Sequence, residues 1–79
     1  MTETEIIEKL RYRDLEAFKA LVLDYSEQAT IYAYVLLNDR KAAHALIDDI
    51  MIDVWNKEVV LTIPIEKALH DLVQDRCEI

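Results

Sequence analysis

The sequence predicts an all-α fold, a small bundle of three to four helices. Three observations lead there. The 79-residue chain has no Gly and one Pro, and Gly supplies most of the positive-φ turns that hairpins and phosphate-cradling loops require. Apolar residues recur at three- and four-residue spacing along most of the chain. Hydrophobic residues make up 53% and charged residues 32%, a balance that builds a core rather than a disordered chain. The length allows one domain, residues 1–79, with a modest core.

A first helix is predicted over about Glu3–Arg11. Thr2 or Thr4 can cap it, Glu3, Glu5 and Glu8 favour its positive end, and Ile6, Ile7 and Leu10 form its stripe. Asp14 is placed to cap a second, long helix over about Leu15–Leu37. Its core stripe is Phe18, Leu21, Val22, Tyr25, Ala29, Tyr32, Ala33 and Leu36. Leu23, Ile31, Tyr34 and Val35 fall off that stripe and imply a second apolar surface. Asn38 can take the left-handed turn in place of Gly, and Asp39 can cap a third helix over about Arg40–Trp55. Ala43, Leu46, Ile47, Ile50, Met51 and Val54 point inward there. Asn56–Ile63 reads as a connector with no partner strand. Pro64 suits the first turn of a fourth helix, capped by Thr62 or Ile63. That helix presents Ile65, Ala68, Leu69, Leu72 and Val73 and runs to about Cys77.

The net charge is −7, and the nine basic residues are dispersed. Such a surface repels phosphate backbones. One cysteine, Cys77, precludes an intramolecular disulfide, so a reducing cytoplasmic setting is expected. Met1–Glu8 is acidic, unlike a secretory leader. The longest apolar runs, such as Ile31–Leu37, fall far short of the ~20 residues that span a bilayer. His44 and His70 are the only histidines and share no metal-ligand spacing, so neither a metal nor another cofactor is expected. Asp48 and Asp49 point about 100° apart on a helix and do not form an acid–base pair. No nucleophile, base and oxyanion set can be assembled, so an enzyme is not expected. Trp55 is expected to close the bundle, a role compatible with the rim of an interface.

The run from Leu10 to Trp55 resembles region 2 of the extracytoplasmic-function branch of the sigma factors. Leu10-Arg11-Tyr12-Arg13-Asp14-Leu15-Glu16-Ala17-Phe18 is similar to the family's Leu-x-x-Gly-Asp-x-x-Ala-Phe. Tyr25, Tyr32-Ala33 and Leu36-Leu37-Asn38-Asp39 follow, where the family writes an aromatic, an aromatic-Ala pair and Leu-Leu-Gly-Asp. Ala43-His44-Ala45-Leu46-Ile47-Asp48-Asp49-Ile50-Met51-Ile52-Asp53-Val54-Trp55 is similar to Ala-Glu-Asp-Leu-Val-Gln-Glu-Val-Phe-x-x-x-Trp. The three pieces align without a gap. The resemblance from Pro64 to Cys77 is weaker.

The resemblance implies docking of the third helix and its neighbour on a coiled coil of the RNA polymerase clamp. The positions concerned are Ser26, Ala29, His44, Asp48, Asp49 and Trp55. It also implies that the last helix and the loop before it open promoter DNA, which here places Lys57, His70, Gln74 and Arg76 toward DNA. That side departs from the family's Trp-Leu-Tyr-Arg-Ile-Ala-Arg-Asn-Arg. Ala68 and His70 replace aromatics, Asp71 and Gln74 replace Arg, Asp75 replaces Asn, and Arg76 is kept. Lost phosphate contacts lower affinity, and added carboxylates repel. The expected function is therefore transcription initiation, or its regulation, through polymerase docking with weakened DNA contacts. The alternative is a sigma-like interaction module that does not read DNA and binds an anti-sigma protein or forms a homodimer.

Overall fold

A computed structural model describes residues 1–77. It places α1 at Glu3–Leu10, α2 at Leu15–Leu37, α3 at Arg40–Trp55 and α4 at Ile65–Cys77, with no strand among the described residues. The last two positions of the single domain expected over 1–79 lie outside them.

Local chemistry explains each start. The Thr2 hydroxyl accepts the Glu5 N–H at 3.2 Å, and Glu5 Oε1 accepts the Thr2 N–H at 3.3 Å, a reciprocal capping box. The Thr2 bonds hold the Glu5 carboxyl below its ordinary 4.5. Asp14 Oδ1 accepts the N–H groups of Glu16 and Ala17, and Asp39 Oδ1 accepts that of Ala42.

The helix ends are less ordinary. Arg13, Asn38 and Lys57 have φ of 53°, 53° and 62°, the left-handed region that Gly enters without strain. The Arg13 and Asp14 N–H groups bond the Leu10 and Lys9 carbonyls, and those of Lys57 and Glu58 bond Val54 and Asp53. Both sets make the crossed pattern that satisfies a helix's last carbonyls. Asn38 donates to Tyr34. The expected left-handed turn occurs at Asn38; those at Arg13 and Lys57 were not foreseen.

α2 is the spine. α3 folds back antiparallel on it, bringing Trp55 against Phe18 near the start of α2. α4 runs alongside α2 in the same direction, since Tyr25 and Ala29 meet Glu66 and Leu69 while Tyr32 meets His70 and Gln74. Ala17, Ala29, Ala33 and Ala43 are fully buried, where small side chains let helices approach closely. Ile6, Leu21, Ile50, Ile65, Leu69 and Val73 fill the centre. Leu36, expected in the core stripe, is 46% exposed. It lies one turn past Tyr32, whose α4 partners already sit near that helix's described end.

α4 starts differently from expectation. Neither Thr62 nor Ile63 caps it. Glu3 Oε1, on α1, accepts the Ile65 N–H at 2.8 Å. A carboxylate at a helix N-terminus is favoured by the aligned peptide dipoles. Glu3, Tyr25 and Ile65 thus join α1, α2 and α4 at one corner. Burial first, then the neighbouring Glu3 and Asp24 carboxylates, raise the Tyr25 phenol above its ordinary 10.0.

Candidate docking face

α3 presents a ridge to solvent. Its buried residues are Ala43, Ile47, Ile50, Met51 and Val54. On the opposite side Lys41, Ala45, Asp48 and Ile52 follow one another at four- and three-residue steps, and His44 stands beside Asp48. All are exposed. Ile52 is 54% exposed, an apolar side chain among polar ones. Among the described residues neither Asp48 nor Asp49 has an ion-pair partner. Asp49 is turned about 100° from Asp48, toward the edge where Asp53 meets α4. The ridge therefore offers carboxylates flanking an apolar spot, a surface that a basic, partly apolar helix can cover.

The other expected docking positions fall elsewhere. Ala29 has no exposed surface, so it cannot touch a partner. It lies in the seam between α2 and α4 together with Leu69, where a small side chain lets the two helices approach closely. Ser26 is half-buried, and its hydroxyl donates to the Val22 carbonyl at 2.6 Å. Thr30 repeats this one turn on, bonding the Ser26 carbonyl at 2.7 Å. Trp55 is half-buried and tilted 59° against the Phe18 ring, with centroids 5.1 Å apart. It closes the end of the bundle and keeps an edge on the surface.

The positions expected to face DNA do not form one basic surface. Arg76 is bound to Asp53 of α3, with both side chains 31% exposed. His70 stacks on Tyr32, with centroids 4.2 Å apart and planes 15° from parallel. Gln74 Oε1 accepts the Tyr32 hydroxyl at 3.2 Å. Lys57 lies far from them in sequence, in the turn that ends α3. It lines an apolar groove of about 170 Å³ with Ile7, Leu10, Arg11, Val54, Val59, Val60 and Leu61. The second base of α4, Lys67, is held by Asp71 at 3.0 Å. Both formal cations of α4 thus have carboxylate partners.

Sequence reading missed Asp53 as the partner of Arg76, and Tyr32 as the organiser of His70 and Gln74. Tyr32 was visible as a core aromatic, but nothing local marks which α4 residues it meets. No group of three metal-ligating side chains occurs among the described residues. No helix among them is long and apolar enough to cross a membrane. Compared with known proteins, the chain matches no family model, no curated protein and no solved structure.

Proposed function

We propose that the chain is a sigma factor region 2-like docking domain, acting in transcription initiation or its regulation. It binds the clamp coiled coil of RNA polymerase through α3 and contacts promoter DNA only weakly. The observation that carries this reading is the exposed ridge of His44, Asp48 and Ile52, with Asp49 at its edge. A second observation supports the resemblance behind it. Arg13 and Asn38 stand where the family writes Gly, and both have φ of 53°. The backbone at these two positions has the shape that Gly favours, although the side chains differ.

Co-sedimentation of the full chain with a purified clamp coiled-coil fragment tests the docking. Native chain is expected to be retained. The double substitution Asp48→Lys, Asp49→Lys is expected to weaken retention at least about tenfold, because truncated or reversed interface charges cost that much or more. Helicity stays unchanged, since both side chains are exposed. Equal retention of the two proteins overturns the assignment of the face.

A second reading is a module that binds an anti-sigma protein and ignores DNA. It draws on the pairing of Lys67 and Arg76 with carboxylates. Fluorescence anisotropy with single-stranded promoter DNA at low salt separates the two. Weak, salt-sensitive binding supports weakened DNA contacts; no binding supports the DNA-blind module. Tight, sequence-selective binding overturns both.

A further inference from the structure

The turns that end α1 and α3 bring two bases to one apolar groove. Arg11 caps α1, and its N–H bonds the Glu8 carbonyl at 3.2 Å. Lys57 follows α3 with φ of 62°, and its N–H bonds the Val54 carbonyl at 3.1 Å. Both residues are exposed, and both line the groove of about 170 Å³. Neither has an ion-pair partner among the described residues. The rest of the lining is apolar, with Ile7 and Leu10 of α1 and Val54 of α3 facing the connector. Val60 of that connector borders the groove and is 79% exposed. The chain has 16 acidic residues against 9 basic ones, yet among the described residues no carboxylate lines this groove.

We propose that this groove binds a small organic monocarboxylate. Its apolar tail lies against Ile7, Leu10 and Val54, and its carboxylate sits between the Arg11 guanidinium and the Lys57 ammonium. An apolar cavity of about 150 Å³ holds a benzene-sized guest, so this groove takes a tail of about six carbons. Charge complementarity sets the head group, because hydrogen bonds between ionised partners are the strong ones. The surroundings limit the ligand to one charge. Glu8 lies one turn before Arg11 and Glu58 directly after Lys57, both exposed. A longer polyanion meets these carboxylates and a net charge of −7. A nucleobase fits poorly for another reason. Apart from Arg11 and Lys57, no side chain of the lining can hydrogen-bond its polar edge, and burying that edge unpaired is costly. The inference is independent of the docking reading, which uses the outer ridge of α3.

Titration of the full chain with hexanoate at neutral pH, followed by the amide NMR shifts of Lys57 and Val60, tests it. Saturable binding is expected, with a dissociation constant of about 1 mM or below. Acetate, which lacks the tail, and hexanol, which lacks the charge, are each expected to bind at least about tenfold more weakly. The double substitution Arg11→Gln, Lys57→Gln is expected to weaken hexanoate at least about tenfold and to leave hexanol as it was. A collapsed groove would lose both. Val60→Glu, which sets a carboxylate at the edge of the groove, is expected to weaken hexanoate as well. Arg40→Gln removes an exposed base from the opposite end of α3 and is expected to change nothing. Circular dichroism of every variant is expected to stay native. Five results each overturn the proposal: no saturation below about 10 mM, hexanol as tight as hexanoate, no loss in the double variant, an equal loss in Arg40→Gln, or shifts confined to another face. A capped peptide of alternating Leu and Glu, or oligothymidine, that fills the groove more tightly than hexanoate overturns it too.

Discussion

Leu69→Ala is expected to lower the stability of the fold by about 3 kcal/mol, the usual cost of truncating a fully buried leucine in a core. Leu69 is 1% exposed, on the face of α4 that lies over Ala29 of α2. Ala29 has no atoms with which to fill the space vacated. In a domain of this length about 1 kcal/mol corresponds to 4–8 °C, so thermal unfolding followed by circular dichroism is expected to shift down by roughly 15 °C. A domain this small holds a limited reserve of stability. A loss below about 1 kcal/mol would mean that α4 is not seated on α2 as described.

Glu3→Ala is expected to cost about 1–2 kcal/mol, within the range for removing a helix cap and leaving its N–H without a partner. The effect arises on α4, although the substitution is on α1. Denaturant unfolding measures it, and Glu3→Gln, which keeps an acceptor oxygen, is expected to lose less. The same Glu3→Gln change is expected to move the alkaline titration of Tyr25 back toward 10.0, because Glu3 is the second cause of its rise after burial. The sign for stability follows. A phenol raised in the folded state contributes in full below pH 10 and loses that contribution as the pH climbs past it. An unchanged Tyr25 titration in Glu3→Gln would separate Glu3 from that corner.

How much of this was legible depended on the range of each interaction. Both ends of α2 and the start of α3 were readable because Asp14, Asn38 and Asp39 act within four residues of themselves. The start of α4 was not, since its cap lies 62 positions away. Arg13 and Lys57 carried no local mark of a left-handed turn. Both have a Cβ that disfavours it, and the crossed hydrogen bonds to the last carbonyls of α1 and α3 are made there all the same. His44, Asp48 and Asp49 could be placed on the solvent side of α3 by periodicity alone. Ala29 could not be told from an interface alanine, because its burial depends on α4 crossing above it. Arg76 looked like a free base until Asp53 was brought beside it.

By itself the sequence determined the all-helical class, the order of the helices, and the outward side of α3 at Asp48 and Asp49. Periodicity and capping are local, so no knowledge of neighbours is needed to read them. Only the tertiary structure decided which polar groups remain available. It paired Arg76 with Asp53, stacked His70 on Tyr32, and turned Gln74 to the Tyr32 hydroxyl. It also left Leu23, Ile31 and Val35 of α2 uncovered. The physical reason is the same in each case. A side chain's partner across a helix interface is set by how the helices cross, and that crossing is a property of the whole core.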